Sequence, residues 1–333
     1  MSHIIFTELS GQDGKIGLIT LNRPEALNAL TYEMITVLEE QLIAWETAQE
    51  IKAIVIRAVP GRAFCAGGDL RQLYQQGRNH QVVEDFFLKE YRLNQYIFHF
   101  PKPYIAFLDG ITMGGGAGIS IHGSHSIATE NILFAMPETG IGFFPDIGAT
   151  YFLSRLQDNA GIYLGLTGTR IGYQECIAMG LVDYYVPSGQ LDSLLKAMTE
   201  ISLTKDSVSK LIKSFSVEIN NQTWNHKEEI KTAFANTTLE DILKALSTQD
   251  IINTIRSKSP TSLKVTLAAL ITAKNKNFDE CIQTEYGLAQ HFLKGHDLYE
   301  GIRAVLIDKD QKPHWQPAAL ADVVDEQVAM YFS

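Results

Sequence analysis

Three consecutive glycines, Gly114-Gly115-Gly116, with Gly118 close behind, stand where the strand-like run Tyr104 to Leu108 gives way to the apolar segment Ala117 to Ile121. Glycine at such a handover permits positive φ and close approach of a ligand to the backbone. The start of a following helix presents unpaired N–H groups with partial positive charge. The arrangement occurs upstream as well: the buried-strand pattern Ala53 to Ala58 precedes Phe64-Cys65-Ala66-Gly67-Gly68-Asp69-Leu70-Arg71, in which Gly67-Gly68-Asp69 opens a short helix. Such a turn alone also admits a reading as tight packing, the lesser of the two. Two of them place separate amide donors where they can converge on one developing oxyanion.

The same order of elements extends outward. Ile4-Ile5-Phe6 and Ile16 to Leu21 read as strands, and a helix opens at Thr31, with Met34, Leu38, Leu42 and Trp45 at helical spacing. Val82 to Phe98 carries Val83, Phe86, Phe87, Leu93, Tyr96 and Ile97, the pattern of an amphipathic helix. A repeating ββα unit is the expectation, hence an α/β fold class. After Asp183 to Pro187 the character changes, and Leu191 to Leu246 and Ser262 to Leu306 are polar with helical periodicity. The expected organisation is a core over 1–200 and a helical region over 201–333, since 333 residues exceed the usual single domain of about 100 to 200.

Composition bounds the partners. Hydrophobic residues at 45% and charged residues at 20% are globular values, which exclude a disordered or collagen-like chain. A net charge of -10 without a Lys/Arg-rich run argues against nucleic acid or an anionic membrane surface, although a few local arginines can still hold a nucleotide's phosphates. No apolar run reaches the 18 or so residues of a membrane span. The three cysteines, Cys65, Cys176 and Cys281, are widely spaced and make no metal-ligand pattern, so reduced thiols are expected. The first residues lack a secretory or Arg-rich targeting pattern, which suggests the cytoplasm, with the mitochondrial matrix as the location of a processed eukaryotic protein.

Other chemistries are weighed against the glycine turns. Gly114, Gly116 and Glu138 imitate a dinucleotide fingerprint, but position 119 is Ile where the third glycine belongs. Gly118-Ile119-Ser120-Ile121-His122 fails a nucleophile elbow at its last position, and no Walker A loop is present. His122 and His125 are three apart without a third ligand nearby, so no metal is expected. Met136 to Gly148 holds Glu138 and Asp146 among Ile141, Phe143 and Phe144, broken by proline and glycine. Burial there would raise a carboxylate's pKa and mutual repulsion would separate the two titrations, which suits acid–base work; plain capping of a turn and of a helix near Gly148 is the alternative.

At these residues the sequence resembles the crotonase (enoyl-CoA hydratase/isomerase) superfamily, and within it the branch that hydrolyses 3-hydroxyacyl-CoA thioesters. The likeness runs through Asn22-Arg23-Pro24 to Leu30, Arg62 to Asp69, Lys102-Pro103-Tyr104, Asp109 to Gly118, Phe134 to Gly148, Tyr151 to Leu156 and Ser259 to Lys264. The tail Gly295-His296-Asp297, followed by Glu300 to Gln311, marks the hydrolase branch, since hydratases lack it. The resemblance implies a crotonase-like spiral of ββα units followed by C-terminal helices, and often a homo-oligomer. The thioester oxygen would be held by the amides of Gly68 and Gly115, and coenzyme A would lie near Arg23, Ala26, Leu27 and Ala66. Coenzyme A is then part of the substrate, with no separate cofactor. The hydratases' two glutamates align with positions 118 and 138, and position 118 here is Gly. The resemblance assigns Glu138 and Asp146 to catalysis and Glu90 to the acyl end, which favours hydrolysis over a hydratase or isomerase reaction or a non-catalytic CoA-ester-binding subunit.

Overall fold

The computed structural model describes residues 2–78, 84–219 and 223–333. Two compact units interleave along the chain. Unit 1 comprises Met1–Gly68, Arg92–Phe134 and Ile171–Thr223; unit 2 comprises Asp69–Tyr91, Ala135–Arg170 and Trp224–Ser333.

The strands are β1 (Ile4–Gly11), β2 (Gly14–Leu21), β3 (Ile51–Ala58), β4 (Ala63–Cys65), β5 (Tyr104–Leu108), β6 (Ile111–Met113), β7 (His125–Ala128), β8 (Leu133–Ala135) and β9 (Tyr184–Tyr185). A six-stranded sheet runs β1-β2-β3-β5-β7-β9 and a three-stranded sheet runs β4-β6-β8. β1 and β2 form an antiparallel hairpin, and β3, β5, β7 and β9 continue the large sheet in parallel. Each of β3, β5 and β7 is followed within a few residues by a three-residue strand of the small sheet, so the expected ββα unit is present. Its second strands, β4 and β6, are too short to show a period and are absent from the sequence reading, which runs Tyr104 to Leu108 straight into the glycines.

In unit 1, strand alternation puts Ile16, Leu18, Ala53, Val55, Ile105, Phe107 and Ile127 in one apolar core with Leu194 and Met198 of α8 (Leu191–Met198) and Val208 and Ile212 of α9 (Lys205–Phe215). Fully burying each large aliphatic side chain is worth about 1.5–3 kcal/mol. The neighbouring residue Gly17 faces α1 (Tyr32–Thr47), where an added Cβ would come within 2.6 Å of the Trp45 ring. As expected, Thr31 caps α1, its hydroxyl accepting from Met34 N at 3.2 Å. α4 (Gly115–Gly118) and α7 (Tyr173–Met179) complete the helices lying wholly in this unit.

Unit 2 is helical. α2 (Leu70–Arg78) and the first half of α3 (Glu84–Phe98) precede α5 (Ala149–Leu153), α6 (Ala160–Thr167), α10 (Lys227–Ala233), α11 (Leu239–Ala245), α12 (Gln249–Arg256), α13 (Pro260–Ala273), α14 (Phe278–Lys294), α15 (Asp297–Ile302) and α16 (Asp325–Met330). α13 is capped by Ser259 with Pro260 at its first turn, and its apolar residues are mostly buried against α5 and α6. Gly161 lets α6 lie close to α5, since a Cβ there would meet the Leu153 carbonyl at 1.8 Å. The expected helix over Val82 to Phe98 is seen from Glu84; Val82 and Val83 lie outside the described residues. Among the described residues no strand follows Tyr185. The compact units do not divide at a single point near residue 200, because α8 and α9 cover the sheet of unit 1.

Candidate active site

The glycine turns lie side by side for a topological reason. β4 and β6 are parallel neighbours, Ala63 opposite Ile111 and Cys65 opposite Thr112, so the turns that follow them leave the same end of the small sheet. Gly67 has φ +104, and a Cβ there would be 3.6 Å from Gly115 N; one at Gly116 would strike the Cys65 carbonyl at 2.3 Å. Glycine is therefore required by close approach as well as by φ. Leu30 N donates to Gly67 O at 2.8 Å and Ala66 N to Leu27 O at 3.0 Å, while the Gly68 amide makes no backbone hydrogen bond among the described residues. Gly115 opens α4, where an amide has no intrahelical acceptor. Gly118 is buried inside α4 and brings no side chain to the site.

The loop expected to meet coenzyme A is fastened to the first turn. Leu27 and Asn28 adopt left-handed φ of 52° and 56° after the 3-10 turn Pro24–Ala26. Asn28, which sequence reasoning missed, is buried; its amide donates to Ala63 O at 2.9 Å and its carbonyl accepts from Arg23 N at 2.8 Å. Arg23 donates through its guanidinium to Ala29 O at 2.9 Å. Arg23, Ala26, Leu27 and Ala66 thus belong to one fastened loop cluster in unit 1.

The carboxylates gather in unit 2. Glu90, Glu138, Asp146 and Glu285 are all buried, among Phe87, Phe143, Phe144 and Phe292, whose rings make contacts of 4.7 to 5.4 Å between centroids. Burial pushes the Asp146 carboxyl up to about 7, against the hydrogen bond donated by Tyr91 Oη to Oδ2 at 2.7 Å, which favours its ionised form. Burial, then the charge of Asp146, drives Glu90 and Glu138 well above the ordinary carboxylate range. All three carboxyls are thus held toward their protonated forms. Glu138 heads a 3-10 turn (Glu138–Ile141), and its Oε2, like Oε1 of Glu90, meets no hydrogen-bond partner among the described residues. The capping alternative does not apply to Asp146: its side chain turns to Tyr91, and the start of α5 is served instead by Glu285. Tyr91 and Glu285 carried no local signal, since their partners lie 55 and 137 residues away.

The C-terminal tail supports the same turn. Gly301 of α15 touches the turn of Glu138 so closely that a Cβ would meet the Ile141 carbonyl carbon at 2.3 Å. Asp297 is buried and accepts from Ser259 Oγ at 2.6 Å and Gln316 N at 2.8 Å. Arg303 then ties Glu300, Asp308 and Asp310 together at 2.6 to 2.8 Å. Away from these features, the ring nitrogens of His125 are engaged by Ser124 and Ser209, at 2.7 and 2.8 Å, which leaves neither for a metal. The three cysteines are buried and form no disulfide.

The model of the enoyl-CoA hydratase/isomerase family matches residues 16–332, and the chain belongs to this family. Among curated relatives, the mitochondrial 3-hydroxyisobutyryl-CoA hydrolase of Rattus norvegicus is 42% identical over 333 residues, covering 96% of this chain and 86% of its own. The Homo sapiens protein of the same name is 40% identical with the same coverage. Two solved structures cover 100% of this chain and 97% of their own: a carnitinyl-CoA dehydratase from Mycobacterium thermoresistibile, 34% identical with a TM-score of 0.91, and an enoyl-CoA hydratase from Rhodobacter sphaeroides, 32% identical with a TM-score of 0.87. Among the described residues no helix is long and apolar enough to cross a membrane.

Proposed function

We propose that this chain hydrolyses short 3-hydroxyacyl-CoA thioesters, first among them 3-hydroxyisobutyryl-CoA to 3-hydroxyisobutyrate and free CoA, a step of valine degradation. The observation that carries the reading is the buried pair Glu138 and Asp146 combined with glycine at position 118. Two relatives that the chain matches over 86% of their own length bear the hydrolase name, which supports it.

In the proposed reaction the amides of Gly68 and Gly115 stabilise the oxyanion as the thioester carbonyl becomes tetrahedral. Glu138, ionised, either attacks the carbonyl carbon to form an acyl-enzyme anhydride, expelling CoA thiolate, or removes a proton from the attacking water. Asp146 orients the substrate's 3-hydroxyl and assists proton transfer, Glu90 borders the acyl end, and the expelled thiolate takes its proton from water. Arg23, Ala26, Leu27 and Ala66 receive the CoA moiety. Coenzyme A enters only as substrate, and no other cofactor or metal is invoked. Single turnover in heavy-oxygen water detects the anhydride: label in Glu138 marks water attack on the anhydride's enzyme carbonyl, an outcome that the base route never gives.

The solved structures named as a dehydratase and a hydratase favour one competing reaction, reversible hydration with Glu138 as the single acid. A panel of 3-hydroxyisobutyryl-CoA and crotonyl-CoA decides: release of free thiol from the first supports hydrolysis, whereas loss of enoyl absorbance from the second without thiol supports hydration. Binding without either reaction at high enzyme concentration would indicate a CoA-ester-binding subunit. The relatives are named as mitochondrial proteins, which favours the matrix over the cytoplasm. A homo-oligomer is the assembly to test by light scattering.

A further inference from the structure

Glu285 of α14 is a fully buried carboxylate that makes three hydrogen bonds to a distant loop. It accepts from Gly148 N at 2.6 Å, from Thr150 N at 2.9 Å and from Thr150 Oγ1 at 2.6 Å. Those donors open α5, whose first position is preceded by a glycine and so has no capping side chain of its own. Immediately before them the backbone is strained. Ile147 stands at φ +59 and Gly148 at φ +80, and a β-branched residue in the left-handed region persists only where its surroundings over-determine it. Asp146 begins this turn and is held on its other side by Tyr91.

We infer that Glu285 is the positioning residue for Asp146, clamping residues 148–150 so that the strained turn presents the Asp146 carboxylate at one fixed place. The inference rests on the reading of Asp146 as the group that orients the substrate. Ionised or protonated, the carboxyl keeps an acceptor lone pair on each oxygen, whereas glutamine at 285 keeps the volume but sets a non-accepting NH2 against Gly148 N or Thr150 N, so the two backbone donors cannot both be satisfied in place.

The test is steady-state thiol release from 3-hydroxyisobutyryl-CoA by full-length Glu285→Gln, Asp146→Asn and the double variant, with folding followed by circular dichroism. Glu285→Gln should lower kcat about tenfold or more with KM held within about threefold. In the Asp146→Asn background the same change should cost less than about threefold, because coupled residues are non-additive. Full kcat in a folded Glu285→Gln, or a loss that multiplies with that of Asp146→Asn, overturns the inference. Should Glu285→Gln fail to fold, Thr150→Val removes one donor of the clamp and carries the same comparison, with a loss of about threefold expected for a weaker perturbation of the same network. A wild-type protein that releases no thiol from any 3-hydroxyacyl-CoA would remove the functional reading itself, an outcome distinct from either result above.

Discussion

Glu138 has the environment of a reactive carboxylate: buried, with one oxygen lacking a partner among the described residues, and held above the ordinary range by burial and then by the charge of Asp146. A positioned acid–base group contributes about 10²- to 10⁴-fold in rate. Glu138→Gln should therefore lose at least about 10²-fold in kcat while the fold persists; near-wild-type thiol release would remove Glu138 from the chemistry. Tyr91 is read through its effect on Asp146. Its phenol hydrogen bond favours the ionised carboxylate, so Tyr91→Phe raises that pKa, and the Asp146 carboxyl followed by carbon-13 NMR should titrate at higher pH than in the wild type. An unmoved titration would mean that the phenol does not favour the ionised Asp146. The burial of Glu138 and Asp146 was legible in the sequence because both stand in an apolar, Pro/Gly-broken segment. Tyr91, Asn28 and Glu285 were not, because nothing local distinguishes a residue whose partner is far along the chain.

At the level of elements, the small sheet was invisible and its consequence was visible. β4 and β6 have three residues each, too few for alternation to register, yet the glycines that follow them stand out in the sequence. The tail shows the converse, a distinctive sequence whose use appears only in contact. α15 rests on the Glu138 turn through two glycines: Gly301 against Ile141, and Gly142, at φ +73, where a Cβ would meet the Asp297 carbonyl at 2.1 Å. Gly301→Ala forces a methyl group into backbone. Overpacking of this kind costs typically about 1–3 kcal/mol, and because the displaced backbone carries Glu138, kcat should fall more than KM rises. Chemical denaturation with steady-state kinetics checks both; unchanged stability would show that α15 yields without moving the turn.

For the whole molecule, the buried carboxylates set stability and activity against each other across pH. Asp146 is raised from 3.8 to about 7 and Glu285 from 4.5 to about 8, both first by burial. Between the unfolded and folded pKa of each group, the native state holds a proton that the unfolded chain has released. Stability from these groups is thus complete below about pH 4 and lost as pH rises toward 7 and 8. Glu300, lowered to about 2 first by its bond to Arg303, and Glu229, lowered to about 2 by bonds from Thr248 and Ser247 that outweigh burial, act oppositely. Their stabilisation is present above about pH 4.5 and lost as pH falls toward 2. The two sets place maximum stability at about pH 4 to 4.5 and a decline from there to 8. Turnover must run the other way, since Glu138 can attack or act as a base only when ionised. Denaturant unfolding from pH 4 to 8, run beside a pH–rate profile, reads both trends. Increasing negative charge on the whole protein also lowers stability at high pH, and Glu285→Gln isolates the cluster's share, because glutamine does not titrate and the slope between about pH 5 and 8 should flatten. A slope unchanged in that variant would show that Glu285 ionises in the folded protein at its ordinary pKa, its three donors offsetting the burial in full.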